Sequence, residues 1–189
     1  MPARGLHEFT LDTPTGRIAG LRGHPGGPRV IALHGWLDNA ASFVPLAEHL
    51  HGIELVAPDL PGHGASAHLA PGADYSFAAA VNAVLDVADA LDWDRFSLLG
   101  HSMGAGISSL VAAACPQRVG RLVAIEALGA LAEVPERTVS RLREAIAAYR
   151  ALRGKSLRVF PDVAIAIRAR MAAGAQVGSR LEERAARLL

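Results

Sequence analysis

The 189-residue sequence contains a single cysteine, Cys115, so no disulfide can form within the chain. Long apolar runs are also absent, because polar or charged residues interrupt every apolar stretch well short of the roughly 18 to 20 residues that a membrane span requires. The first residues lack the apolar stretch of a secretory signal peptide. These absences predict a protein of the reducing cytoplasm without a membrane partner, in which Cys115 is a small buried thiol in an alanine-rich helix.

The sequence shows none of the common signatures of a bound cofactor or metal. It contains no Gly-x-Gly-x-x-Gly pattern, no phosphate-binding P-loop, and no spacing of His, Cys or carboxylate residues that is typical of a metal site. We therefore expect no cofactor and no metal.

Charge is nearly balanced over the whole chain, with a net charge of +1, but the basic residues are unevenly distributed. Residues 137–189 hold twelve Lys or Arg against four Asp or Glu. They are spaced among Ala, Leu and Ile as on the solvated face of amphipathic helices, and neither an aromatic platform nor a dense basic run accompanies them. This pattern favours solvated helices over a nucleic-acid partner.

The composition and the order of the apolar runs predict the fold class. Apolar residues make up 51% of the sequence and charged residues 20%, as in folded globular proteins. Strand-like apolar runs alternate with helical periodicity, which is typical of an α/β protein with a mostly parallel sheet and helices on both faces. Strands are predicted at residues 6–11, 17–21, 29–33, 54–57, 96–99 and 122–125, and helices at residues 42–49, 77–91 and 103–114.

The strand pattern stops after Gly129, and only helical periodicity follows. Helices are predicted at residues 139–152, 162–172 and 177–189. We place a boundary near Val134 and Pro135. It separates a core of six predicted strands, residues 1–134, from a helical segment, residues 135–189.

The segment Gly100-His-Ser-Met-Gly104 has the spacing of a nucleophile elbow. It lies between a predicted strand and a predicted helix, which is the context that thrusts a nucleophilic hydroxyl above a sheet. Ser102 is therefore the candidate nucleophile. The alternative is a glycine-rich turn in which the serine has no catalytic role.

An attacking serine produces an oxyanion that must be stabilised by N–H donors fixed in advance. The amide of Met103, at the start of the predicted helix, is the first candidate, and the amide of Trp36, in the loop after the third strand, is the second. In the same loop, His34 is predicted to hold the backbone through a side-chain hydrogen bond rather than to act in catalysis. Asp59 and His63 are predicted to fix the loop after the fourth strand.

Three segments together resemble the α/β-hydrolase superfamily: LHGWLDN at residues 33–39, PDLPGHG at residues 58–64 and GHSMG at residues 100–104. The chain is most similar to the serine hydrolase-like proteins, relatives of haloalkane dehalogenases and esterases. The resemblance implies a nucleophile, an oxyanion hole and a helical cap, here residues 135–189. Because dehalogenases of this kind carry aspartate at the elbow, Ser102 favours hydrolysis through an acyl-enzyme over dehalogenation.

A serine triad also needs an acid and a histidine. In this superfamily the acid follows the sixth or the seventh strand, and Glu126, at the end of the sixth predicted strand, is the candidate. It has two alternatives, a solvated carboxylate at a strand end or a neighbour of the true acid. The base should follow Ser102 in the chain, yet all eight histidines precede it, and His101 is too close to the elbow to be a good base.

The sequence is accordingly expected to be the front two-thirds of a longer hydrolase core and to have little or no activity alone. The predicted function is hydrolysis of a small, mostly apolar ester-like substrate through an acyl-enzyme on Ser102. One alternative is a non-catalytic fragment or binding module that lacks the catalytic histidine. Another is a perhydrolase or carbon–carbon bond hydrolase in a complete form.

Overall fold

The computed structural model describes residues 5–70, 73–129, 134–152 and 159–176. The strands are β1 His7–Thr13, β2 Gly16–Arg22, β3 Arg29–Leu33, β4 Glu54–Pro58, β5 Phe96–His101 and β6 Val119–Ile125. The α-helices are α1 Val44–Ala47, α2 Phe77–Ala90, α3 Met103–Ala114, α4 Thr138–Leu152 and α5 Val163–Gln176, and two 3-10 helices span Ala40–Phe43 and Pro135–Arg137.

The strands form one sheet in the order β1-β2-β4-β3-β5-β6. An antiparallel hairpin, β1 and β2, joins the edge of β4, whereas β4, β3, β5 and β6 run parallel to one another. The chain crosses between parallel strands through helices α2 and α3, as parallel pairing requires. The predicted α/β class with a mostly parallel sheet is confirmed.

Apolar side chains cover both faces of the sheet. Along β3, Ile31 and Leu33 belong to a cluster with residues of α2 and α3, whereas Ala32 belongs to a cluster on the opposite face with Phe43. This division follows from the alternation of side chains along a strand. Trp93, only 2% exposed, fills the end of the first cluster. The central strands β3, β4 and β5 are therefore mostly buried, whereas much of the edge strands β1 and β6 is exposed.

The predicted helix at residues 42–49 is wrong in form. The chain makes a 3-10 turn from Ala40 to Phe43 and then a single α-helical turn that ends at Ala47. The side chain of Asn39 accepts a hydrogen bond from the amide of Ala41 and starts the turn early. Pro45 has no N–H to donate to the preceding turn, so one continuous helix cannot pass through it.

The end of α3 is as predicted, but the place of Cys115 differs from expectation. The helix stops at Ala114, and Cys115, which precedes Pro116, caps it instead of lying inside it. Cys115 is consequently half-buried, whereas we predicted a small buried thiol inside a helix.

The chain separates into two compact units, divided between residues 130 and 131. The first unit contains the sheet, and the described elements of the second are helical, including α4 and α5. A domain boundary near residue 134 stays a prediction, and the predicted helix at residues 177–189 lies outside the described residues. Within the described ranges, no helix has the length and apolarity needed to cross a membrane.

A buried ion pair joins the hairpin to the parallel part of the sheet. Glu54, at the start of β4, accepts a hydrogen bond from the guanidinium of Arg22 on β2 and another, of 3.3 Å, from the amide of Gly26. Desolvation raises the pKa of Glu54, but the hydrogen bonds and the positive charges of Arg22 and Arg29 together outweigh it. The pKa of this carboxyl therefore lies below its ordinary value of 4.5.

Because the folded-state pKa is lowered, the stabilisation is present above pH 4.5 and is lost as the pH falls through the folded-state value. We expect Glu54→Gln to lower the free energy of unfolding by about 2 kcal/mol at pH 7, and by much less at acidic pH. Urea denaturation at pH 7 and at pH 3.5 measures both values. Glu8→Gln, at an exposed position on β1, is the matched control. An equal loss at both pH values would contradict this account.

Candidate active site

Ser102 lies at the tight turn between β5 and α3, with φ 51° and ψ −116°. Positive φ is unfavourable for a residue with a side chain and persists only where surrounding contacts impose it. Here the amide of Ser102 donates to the carbonyl of Ile125 on β6 at 3.0 Å. The carbonyl of Ser102 accepts from the amides of Ala105 and Gly106 at 3.0 and 3.1 Å. The strained elbow is thus held from both sides.

Two glycines flank the elbow because no side chain fits there. A Cβ atom at Gly104 would lie 2.1 Å from the carbonyl oxygen of Leu33 at the end of β3, and one at Gly100 would lie 2.5 Å from the Cα of Ala105. The first turn of α3 can therefore pack directly on the ends of the central strands.

The loop after β3 passes beside the nucleophile. A Cβ atom at Gly35 would lie 3.6 Å from the Cβ of Ser102, which places Trp36, the next residue, at the rim of the site. Among the described residues the amide of Trp36 donates to no acceptor, and Met103 is the first residue of α3, whose amide has no partner within the helix. Two unpaired N–H groups near a hydroxyl are suited to bind a negatively charged oxygen.

His34 holds the loop after β3 through hydrogen bonds of its side chain, as predicted. Its ring is fully buried, its Nε2 accepts from the amide of Leu60 at 3.0 Å, and its Nδ1 lies 2.7 Å from the carbonyl oxygen of Gly35. Since an amide only donates, Nε2 is the acceptor and Nδ1 carries the proton. Desolvation by burial is the largest effect on the pKa of His34 and outweighs the opposing hydrogen bond to Gly35, so the pKa lies below 6.5. The ring is neutral and structural.

Asp59 fixes the neighbouring loops, also as predicted. One carboxylate oxygen accepts from the amide of Ala40 at 2.7 Å and the other accepts from the amide of Ala65 at 2.8 Å. The hydroxyl of Ser66 donates to the backbone carbonyl of Asp59 at 2.6 Å. His63 lies in the same loop, with Nδ1 at 3.2 Å from the carbonyl of Pro61. These contacts join the loops that follow β3 and β4.

Glu126 lies directly after β6 and has a φ of 70°. Its Oε2 accepts a hydrogen bond of 3.0 Å from Nε2 of His101. Sequence reasoning missed this contact. The available signal was the register of the sheet, since His101 at the end of β5 pairs with Ile125 at the end of the adjacent parallel strand.

No histidine of the chain is hydrogen-bonded to Ser102, the candidate nucleophile. All eight histidines lie within the described residues, and among these residues the Ser102 hydroxyl has no hydrogen-bond partner. The Nε2 of His101, the histidine adjacent in sequence, is already bonded to Glu126. The described residues therefore bring together a candidate nucleophile and two candidate amide donors, without a histidine positioned as a base.

A cleft of about 810 Å³ lies elsewhere, between the β1–β2 hairpin and the loops around Ala40 and Gly64. Its lining includes Glu8, Arg17 and Asp59 but not Ser102, Met103 or Glu126. The cleft is therefore separate from the candidate catalytic residues.

Comparison with known proteins agrees with this geometry. The family model described as alpha/beta hydrolase fold matches residues 28–158, which contain the loop after β3, the elbow and Glu126. The chain belongs to the α/β-hydrolase family.

Individual relatives of this α/β hydrolase support the assignment. A serine hydrolase-like protein of Dictyostelium discoideum is 45% identical over 107 residues, which is 56% of this chain and 30% of the relative. The crystal structure of the hypothetical protein PA1622 from Pseudomonas aeruginosa PAO1 is 44% identical with a TM-score of 0.85, covering 96% of this chain and 64% of that one. This chain thus spans less than two thirds of the length of both proteins.

A third relative has a named chemistry. The thioesterase domain from the curacin biosynthetic pathway is 29% identical with a TM-score of 0.75, over 98% of this chain and 67% of that domain. The predicted resemblance to the superfamily and to serine hydrolase-like proteins is confirmed, whereas the roles of Ser102, Glu126, Trp36 and Met103 remain proposals.

The close approach at Gly104 is testable by adding one methyl group. We expect Gly104→Ala to lower the free energy of unfolding by about 3 kcal/mol, because the carbonyl of Leu33 at the end of a buried strand cannot move aside. Gly120→Ala on β6, where the nearest atoms are 3.7 Å from the new Cβ, is the control and should change stability by less than about 1 kcal/mol. Urea denaturation of both variants decides the matter. Equal stabilities would rule out a steric requirement at the elbow.

The buried His34 should make stability depend on pH. Because its folded-state pKa is lowered, the stability is fully present above 6.5 and is lost as the pH falls below that value. We expect His34→Leu to lower the free energy of unfolding by about 2 kcal/mol at pH 8, since it leaves the Leu60 amide unpaired. On acidification, the free energy of unfolding of this variant should fall less than that of the wild type. Unfolding curves from pH 8 to pH 5 measure the slope. The exposed His49→Leu variant should retain the wild-type slope, and an unchanged slope in His34→Leu would refute the assignment.

Proposed function

We propose that Ser102 is the nucleophile of a serine hydrolase that acts on a small, mostly apolar ester-like substrate through an acyl-enzyme. The observation that carries this proposal is the strained backbone of Ser102, held between β5 and α3 beside two unpaired amides. A strained non-glycine residue at a strand-to-helix turn costs stability, and such strain is concentrated at functional sites. The named relatives, a serine hydrolase-like protein and a thioesterase domain, support acyl transfer.

In the proposed reaction, Oγ of Ser102 bonds to the substrate carbonyl carbon while a base takes the hydroxyl proton. The amides of Met103 and Trp36 donate to the oxyanion of the tetrahedral intermediate. The carbon–oxygen bond to the alcohol then breaks, and the alcohol leaves with the proton from the base. Water, deprotonated by the same base, hydrolyses the acyl-enzyme and restores Ser102. Glu126 is the proposed acid that orients the base.

The base is the component that this chain lacks. Since none of its histidines bonds to Ser102, we propose that efficient turnover requires a histidine that these 189 residues do not supply. Loss of a triad member costs several orders of magnitude in rate, although amide donors and binding retain a residual catalysis of about 10³ to 10⁴ over water. We expect the isolated chain to acylate slowly.

The surroundings of Ser102 favour an apolar substrate. Trp36 and Leu37, in the loop whose Gly35 lies close to Ser102, are 72% and 64% exposed, and Leu128, two residues after Glu126, is 79% exposed. Exposed large apolar side chains grouped at a site are typical of apolar ligand binding. The acyl group is therefore proposed to be short and uncharged.

Free imidazole in solution can replace the missing base and so reveal the nucleophile. We expect a fluorophosphonate to label Ser102 slowly in the isolated chain, and at least about tenfold faster with added imidazole, since general-base catalysis contributes about 10² to 10⁴. Mass spectrometry locates the adduct. Ser102→Ala should abolish it, whereas Ser97→Ala, a substitution earlier on β5, should not.

Two outcomes would count against the proposal. If Ser102 stays unlabelled with and without imidazole, the chain is better described as a non-catalytic binding module. If the Ser102-dependent hydrolysis of p-nitrophenyl hemisuccinate exceeds that of p-nitrophenyl butyrate, the apolar substrate class is wrong. In both assays the Ser102→Ala variant supplies the background rate of imidazole alone.

A further inference from the structure

The ring of His101 lies between two segments of the site that are distant in sequence. On one side, its Nε2 is 3.0 Å from Oε2 of Glu126, beyond the end of β6. On the other side, its Nδ1 faces the loop after β3, since a Cβ atom at Gly35 would lie only 3.2 Å from this nitrogen. One imidazole therefore spans from the candidate acid to the loop that carries the Trp36 amide.

The hydrogen bond to Glu126 determines which nitrogen of the His101 ring carries the proton. A carboxylate without its proton only accepts hydrogen bonds, so Nε2 of His101 carries the proton that is donated to Glu126. The other nitrogen faces Gly35, where it occupies the space into which a side chain would extend. Neither nitrogen is directed at the Ser102 hydroxyl by a hydrogen bond among the described residues, and the ring serves as a spacer rather than as a base.

Glu126 needs such a partner. Its side chain is 69% exposed, and its backbone has a φ of 70°, which is unfavourable for a residue with a side chain. Holding an exposed glutamate in one rotamer costs conformational entropy. The bond to His101 fixes Oε2, while Oε1 accepts no hydrogen bond from the residues that the structure describes and stays open to a second donor.

We propose that His101 is a positioning residue that sets the Glu126 carboxylate and the Gly35–Trp36 backbone at one fixed separation. Through its Nε2–H it orients the acid, and through its Nδ1–Cε1 edge it limits how closely the loop that presents the Trp36 amide can approach. The inference rests on the proposed function for its catalytic meaning, although the positioning itself concerns only this chain. It explains why a histidine with no base function stands next to the nucleophile.

The test compares His101→Ala with His101→Gln in the isolated chain. Two quantities are measured: the amide NMR signals of Gly35 and Trp36, and the rate of imidazole-supported labelling of Ser102 by a fluorophosphonate. We expect His101→Ala to shift both amide signals and to slow labelling by about tenfold, less than the loss of a whole oxyanion donor. His101→Gln retains an N–H donor of similar reach to Glu126 and should return the rate to within about threefold of wild type.

Glu126→Ala removes the other partner of the hydrogen bond between His101 and Glu126, and it leaves the sequence of the elbow unchanged. It should shift the Gly35 and Trp36 amide signals as His101→Ala does, even if the His101 variant is too unstable to purify. In Glu126→Gln the amide oxygen still accepts from His101, so these signals should stay near their wild-type positions. Unmoved signals in both alanine variants would overturn the inference.

The failures of the two proposals are distinguishable. If Ser102→Ala abolishes labelling while His101→Ala labels at the wild-type rate with unmoved amide signals, the positioning role is wrong and the nucleophile stands. If labelling is independent of Ser102, the proposed function fails, and the amide signals still decide whether His101 positions the loop.

Discussion

The packing of Gly104 against the end of β3 is the contact on which the candidate site depends. With no side chain in the way, the first turn of α3 lies on the carbonyl of Leu33, and a Cβ atom there would meet this oxygen at 2.1 Å. The helix start, the elbow and the loop after β3 are brought together by this approach. The strain at Ser102 is tolerated because the core that this approach completes stabilises the folded chain elsewhere.

A second layer of buried polar groups holds the loops that the packing brings together. His34 ties the backbone of Gly35 to that of Leu60, and Asp59 ties Ala40 to Ala65. Buried polar groups stabilise a structure only when each finds a partner, and these side chains pair with backbone groups that would otherwise be unpaired. The sheet thus brings the strand ends together, whereas His34 and Asp59 hold the loops that follow these ends in place.

The parts of the structure that depend on neighbouring residues in the sequence can be predicted, whereas those that depend on contacts between distant segments cannot. The strand at residues 29–33 and the helix at residues 103–114 were predicted with their observed bounds, because apolar runs and breakers such as Pro116 act locally. The helix predicted at residues 42–49 is wrong in form, because Pro45 and the side chain of Asn39 favour two short turns where the periodicity alone predicts one helix. The pairing of His101 with Glu126 depends on sheet order and strand register, which no local pattern specifies.

The two tryptophans of the chain occupy opposite environments, and this gives the protein an internal pair of optical reporters. Trp93 is 2% exposed in the core, with the guanidinium of Arg29 5.6 Å from its ring, whereas Trp36 is 72% exposed at the rim of the site. Indole fluorescence depends on contact with water, so unfolding changes the emission of Trp93 far more than that of Trp36. A small soluble quencher reaches Trp36 alone in the folded chain. Steady-state fluorescence can therefore separate an event at the site from the melting of the core without any added label.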